Sequence, residues 1–140
     1  MQESNNPEKI LNQMMEHDHY SQWLGIEVVA IGEGSCTLKM RIRKEMLNGF
    51  GIAHGGISYS LADSALAFAS NSHGRKAVSI ETSISHLKPL KEGAILIASA
   101  ELENLGNKIA TYHVKVKSDN DELIASFKGM VYRKSESWPT

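Results

Sequence analysis

Two hydrophobic periods run through the chain, and the switches between them mark its elements. Ile10, Leu11, Met14 and Met15 recur at helical spacing behind Asn6-Pro7-Glu8. Asparagine there serves as an N-cap, proline suits the first turn, and an acid meets the positive helix end. A short amphipathic helix is predicted over about 7–17. From Ile26 the period drops to two. Ile-Glu-Val-Val-Ala-Ile runs into Gly32-Glu33-Gly34, and Cys36, Leu38, Met40 and Ile42 then alternate with Thr37, Lys39, Arg41 and Arg43. These are two strands of a hairpin with one wet face.

The stretch from about His54 to Ser72 is apolar or small on nearly every side, with Asn71-Ser72-His73-Gly74 as its stop. A helix without a polar face is meant for burial. Four long strand-like runs follow, at about 76–88, 93–104, 107–118 and 122–133. They are separated by Pro89-Leu90-Lys91-Glu92-Gly93, by Gly106-Asn107 and by Asp119-Asn120-Asp121, each with turn chemistry. Tyr112, Val114 and Val116 alternate with Thr111, His113, Lys115 and Lys117, as a strand with one face on a core does. Long antiparallel strands and one apolar helix predict an α+β domain in which a curved sheet wraps a central helix. The end of the chain, about 135–140, carries no pattern and is expected to be loose.

At 140 residues and 41% hydrophobic content, one domain spanning 1–140 is expected. A formal charge of −1 supplies no basic field for nucleic acid or anionic lipid, and neither partner is expected. No apolar run approaches the roughly 20 residues of a membrane-spanning helix. The single cysteine, Cys36, cannot form an internal disulfide and is expected as a small buried strand residue. With the polar start Met-Gln-Glu-Ser-Asn-Asn-Pro, the chain reads as cytoplasmic.

Candidate chemistry is concentrated between Asn48 and Ser64. Gly55 and Gly56 expose backbone amides at a helix start, where the first N–H groups lack intrahelical partners and the macrodipole is positive. Negative charge developing on a carbonyl oxygen is stabilised in such a place. Asp63 interrupts Leu61, Ala62, Ala65, Leu66, Ala67, Phe68 and Ala69, and an unpartnered carboxylate costs several kcal/mol, roughly, to desolvate. Its plain structural reading is a cap or an interface ion pair. For His54 that reading is a satisfied turn histidine, and for Asn48, before Gly49, it is turn chemistry. His17-Asp18-His19 is spaced wrongly for a helical metal pair and is taken as a solvated helix end, and His73, His86 and His113 are scattered, so no metal centre is expected. No Gly-x-Ser-x-Gly elbow is present.

His54 and Asp63 are nine positions apart. At about 100° and 1.5 Å per residue they point to opposite sides of one helix, about 13.5 Å apart along its axis. They cannot meet over one substrate atom within a chain. A two-fold dimer, in which the helix start of one protomer faces the acid of the other, resolves this.

The element order, with Asn48, His54-Gly55-Gly56 and Ala62-Asp63-Ser64, resembles the hotdog-fold thioesterases of the phenylacetate-degradation (PaaI-like) type. The resemblance spans about 20–135 and extends to Lys-Pro-Leu-Lys-Glu-Gly and the closing Ala-Ser-Phe-Lys-Gly-Met-Val-Tyr. It implies hydrolysis of an acyl-coenzyme A thioester, by a homodimer with a continuous sheet that usually pairs into a dimer of dimers, with sites at the subunit interface. It implies that Asp63 is the nucleophile or general base and that the Gly55 amide polarises the thioester carbonyl. His54 and Asn48 would orient substrate or water, and Ser64 would help to hold the water or the acid. No cofactor is implied, because coenzyme A belongs to the substrate. Lys88, Lys91, Arg75, Lys76 and Lys108 lie at strand ends or turns from which they could reach its phosphates; most are simply surface charge, and none is singled out. Two other functions fit the same fold: a hydroxyacyl-thioester dehydratase, and a non-catalytic acyl-CoA-binding regulatory domain. No residue names the acyl group.

Overall fold

The computed structural model describes residues 6–139. Residues 1–5, most of the polar start, and Thr140, the last residue of the tail, lie outside them. Helix α1 spans Pro7–His17, with the Asn6 side chain accepting from the Lys9 amide at 3.0 Å as its cap. A second helix, α2 (His19–Leu24), follows at once; it was not expected. Asp18 caps it, accepting from the Ser21 amide at 3.0 Å and from the Ser21 hydroxyl at 2.7 Å. His17-Asp18-His19 is therefore a solvated helix end, with both histidines exposed, that also turns the chain into a second helix.

Strands β1 (Glu27–Gly32) and β2 (Ser35–Arg41) form the predicted hairpin. The long helix α3 occupies Gly55–Asn71 with His54 as its N-cap, within a residue of the predicted bounds. Then come β3 (Arg75–His86), β4 (Ile95–Leu105), β5 (Ile109–Ser118) and β6 (Leu123–Ser137). All pair antiparallel in one six-stranded sheet of order β1-β2-β4-β5-β6-β3. Helix α3 packs on every strand of that sheet, as the α+β prediction required.

The core lies between α3 and the inward rows of the strands. Leu38 and Met40 on β2, Leu96 and Ala98 on β4, Tyr112 and Val114 on β5, and Phe127 and Val131 on β6 are buried there. Leu61, Ala62, Ala65, Phe68 and Ala69 meet them from the helix. Cys36 belongs to this row, and burial pushes its thiol up to about 12, so it is an inert packing residue.

The tail is not loose. β6 runs on to Ser137, which pairs with Arg75, and the Trp138 amide donates to the Gly74 carbonyl at 2.8 Å. The Trp138 indole donates to Asn71 Oδ1 at 2.8 Å, and Lys76 Nζ lies 5.0 Å from the ring centroid. Beyond the end of α3 the strand has no core to face, so it needs no alternating apolar side chains. Backbone pairing and one indole hold it instead, and neither shows in a hydrophobic pattern.

Below α3, His73 Nε2 lies 2.8 Å from the Tyr112 hydroxyl, and Nδ1 faces the Glu33 carboxylate at 3.5 Å. Burial holds the imidazole below its ordinary 6.5, against the opposing pull of Glu33. The unfolded chain then binds more protons here than the native one, so this contribution is complete above about 6.5 and is lost as pH falls through the lowered native value. Urea denaturation from pH 8 to pH 5 is expected to show falling stability, with a shallower slope in His73→Gln.

Candidate active site

The approach to α3 is built by one asparagine. Asn48 Oδ1 accepts from the Phe50 amide at 2.9 Å and the Ile52 amide at 3.4 Å, and the Asn48 amide donates to the Ile52 carbonyl at 2.8 Å. This closes a tight loop and leaves the Asn48 Nδ2 hydrogens for another acceptor. The chain then passes through His54 into the helix.

His54 determines which helix amide is available. Its Nδ1 accepts from the Gly56 amide at 2.9 Å, so the neutral ring carries its hydrogen on Nε2. The expectation that Gly55 and Gly56 both offer open amides is thus corrected: Gly56 is committed to His54. The Ile57 amide donates to the His54 carbonyl at 2.9 Å. Gly55 N–H, the first of the helix, has no intrahelical acceptor and none elsewhere among the described residues. Each glycine is closely approached by an imidazole. A Cβ at Gly56 would lie 3.0 Å from His54 Nδ1, and one at Gly55 would lie 3.1 Å from Nε2 of His86.

Two clefts flank this helix start. One, of about 350 Å³, is lined by Asn48, Gly55, Ser58, His86, Lys88 and Leu90, among others. The other, of about 560 Å³, is lined by Tyr20, Trp23, Leu47, His54, Gly56 and Tyr59, among others. The structure therefore brings Asn48 and Gly55 together and sets His54 on the neighbouring wall. Tyr20 and Trp23 stack at 6.1 Å between centroids on α2, and the Tyr20 hydroxyl reaches Ser60 Oγ at 2.9 Å.

Asp63 and Ser64 line neither cleft. Asp63 lies two helical turns beyond Gly55, about 12 Å along the axis. It is half-buried on a stripe with Tyr59 and Ala67, and no cation or hydrogen-bond donor offsets it among the described residues. Desolvation, and then the like charge of Asp18, raise its carboxyl above the ordinary 3.8. Ser64 Oγ is 2.9 Å from Ser21 Oγ, whose own hydrogen goes to Asp18 Oδ2. Ser64 is thus the donor to Ser21, and its hydrogen is engaged with α2 rather than with Asp63.

His86 does not stand out in the sequence from the other scattered histidines. The strand period held a signal: Thr82, Ile84 and His86 share the face of β3 turned to α3, and Thr82 Oγ1 meets the Tyr59 hydroxyl at 2.7 Å. Among the candidate cations, Arg75 is tied to the Lys134 and Arg133 carbonyls and Lys76 to Glu136, far from the helix start. Lys88, paired to Glu122 at 3.4 Å on the surface, borders the Gly55 cleft. Among the described residues no group of three or more His, Cys, Asp or Glu is set to hold a metal ion, and no helix is long and apolar enough to cross a membrane.

A carboxylate whose native value is raised contributes stability only below its unfolded value and loses that contribution as pH rises through the native one. Asp63→Asn is therefore expected to unfold at a higher urea midpoint than the parent at pH 7, with the gap closing toward pH 4.

The thioesterase superfamily profile matches residues 50–125 of this chain. A putative esterase of Archaeoglobus fulgidus is 44% identical over 132 residues, which cover 94% of this chain and 86% of that one. The acyl-coenzyme A thioesterase PaaI of Escherichia coli K12 is 34% identical over 120 residues, 86% of each chain. The solved structure of the E. coli PaaI protein from the phenylacetic acid degradation operon matches with a TM-score of 0.93 at 31% identity, over 96% of this chain and 97% of that one. The profile takes in the His-Gly-Gly helix start, Asp63 and His86. With the hotdog architecture already evident from α3 and its sheet, this chain belongs to the thioesterase superfamily, as a hotdog-fold thioester hydrolase of the PaaI-like type.

Proposed function

We propose that the protein hydrolyses an acyl-coenzyme A thioester to free coenzyme A and a carboxylic acid, at two equivalent sites between the protomers of a homodimer. The observation that carries this is the separation of two unsatisfied groups on one rigid helix. The Gly55 amide is open at one end, and the Asp63 carboxylate is desolvated and unpartnered about two turns away. Each lacks what the other's substrate-facing role requires, and a two-fold axis brings them together. The name of the E. coli relative supplies the substrate class.

Of the two edges of the sheet, β1 and β3, the longer one supports the dimer. Among the described residues β3 pairs with β6 on one side and with no strand on the other, and Val78 and Ile80 on it are 46% and 54% exposed. A twelve-residue edge strand with exposed aliphatic side chains is a template for pairing with a second copy, unless it is covered. Pairing of dimers into a tetramer rests on the family resemblance alone.

In the reaction the thioester carbonyl accepts a hydrogen bond from Gly55 N–H, and the helix dipole adds to it. The partner's carboxylate at the Asp63 position then either attacks the carbonyl carbon or takes a proton from the water that attacks it. Collapse of the tetrahedral intermediate expels the thiolate of coenzyme A; after direct attack, water then hydrolyses the resulting acyl-aspartyl anhydride, which frees the acid and restores the carboxylate. His54 presents Nε2–H, and Asn48 its Nδ2 hydrogens, as positioning donors on the two walls. Ser64 holds α2 against the helix rather than the water. Lys88 at the cleft rim is the cation best placed to meet a coenzyme phosphate. Nothing in this scheme calls for a metal or cofactor.

Asp63→Asn is expected to lower kcat by about 10²-fold or more while circular dichroism stays unchanged. The acidic limb of kcat/KM, where the essential carboxylate ionises, is expected above the ordinary 3.8 and to move down in Asp18→Asn, which removes the neighbouring charge. Mixing inactive Gly55→Val and Asp63→Asn chains and isolating heterodimers is expected to restore part of the activity, because one of the two sites is then intact. Verified heterodimers as inactive as their parents would exclude a site shared between protomers.

A further inference from the structure

We propose that His86 is a second hydrogen-bond donor to the thioester carbonyl oxygen, acting beside the Gly55 amide; this rests on the thioesterase reading above. The ring edge of His86 stands against Gly55 so closely that Nε2 and Cε1 would be 3.1 and 3.2 Å from a Cβ built there. Both residues line the same cleft, with Asn48, Ser58 and Lys88. The other ordered histidines near the core are engaged: His54 with the Gly56 amide, His73 with Tyr112 and Glu33, His113 with Ser126 at 3.0 Å. His86 has no hydrogen-bond partner among the described residues and is exposed to the cleft.

Its position follows from strand geometry. Thr82 is fixed to α3 through Tyr59, Ile84 packs against the core, and the next residue of the same row arrives at the level of the helix start. A single backbone N–H is half of the usual arrangement for a tetrahedral oxyanion, where donors act together and each strengthens as charge builds on the oxygen. The imidazole Nε2–H supplies the other half. It keeps its hydrogen throughout, so the balance of the hydrolysis is unchanged: the carbonyl π pair moves to oxygen on attack and returns when the carbon–sulfur bond breaks.

The test compares His86→Phe, which keeps a ring and loses the donor, with His86→Gln, which keeps a donor. Thiol release from acyl-CoAs by the parent is measured first, and a parent that releases none overturns the thioesterase reading and this proposal with it. With an active parent, His86→Phe is expected to lose about 10²-fold in kcat with KM little changed, and His86→Gln to retain much of it. A parent-like kcat in His86→Phe, within about threefold, overturns the donor role while leaving the thioesterase reading intact. An independent readout is the infrared carbonyl stretch of a ¹³C-labelled acyl-CoA bound to Asp63→Asn. Adding His86→Phe is expected to move that stretch to higher frequency, as a lost hydrogen bond requires. An unmoved band overturns the proposal.

Discussion

The close approach of α3 to the sheet governs the rest of the molecule. Gly129 on β6 lies under Leu66, and a Cβ there would collide with the leucine's methyl groups. Ala62, Ala65 and Ala69 are completely buried on the same helix. Small residues on both layers let two backbones come together, and Phe68 and Phe127 fill the larger spaces, each contributing about 1.5–3 kcal/mol by burial. A helix held this way cannot rotate or slide without opening voids. Its first amide, its acid and the strand ends around it are therefore fixed relative to one another by core packing.

That rigidity explains how the chain tolerates a poorly solvated acid. Asp63 as a carboxylate contributes nothing favourable to the folded chain: burial and Asp18 both oppose its charge. The hydroxyl of the adjacent Ser64, a donor that would relieve it, is engaged elsewhere. Asp18 caps α2, and Ser64 and Ser21 form a directed chain into that cap. This chain fastens α2 to α3 and places a like charge near Asp63 at once. The site thus stores free energy in one carboxylate, and the surrounding alanine and leucine packing offsets it. Such a conflict between local cost and global fold is typical of functional positions.

What the sequence disclosed follows from which interactions are local. The helix bounds at Pro7–His17 and Gly55–Asn71 were legible because caps and apolar spacing are read within a few residues. The long strands were legible by alternation. Helix α2 was not, since six residues, His19–Leu24, are too few for a period to emerge and its cap doubles as the end of α1. The tail was missed because Trp138 is held by Asn71 and Gly74, partners more than sixty residues away in sequence. Within the site, the amides and the acid were visible as residue types at fixed spacing. Their allocation was not: that His54 takes the Gly56 amide and leaves Gly55 open is a matter of ring orientation.

The consecutive glycines make better sense once that allocation is known. Each has an imidazole in tight contact with the place a Cβ would take, His86 against Gly55 and His54 against Gly56, and the two rings lie on opposite walls of the helix start. One ring uses a nitrogen to close off an amide and is itself locked in a single tautomer by doing so. The other stands beside the amide that stays open. A helix terminus presenting several free N–H groups would bind any small anion indiscriminately. Committing the second amide internally narrows the terminus to a single backbone donor with its direction fixed by the helix. A carbonyl oxygen that enters there meets one geometry, set by the helix axis and the two walls.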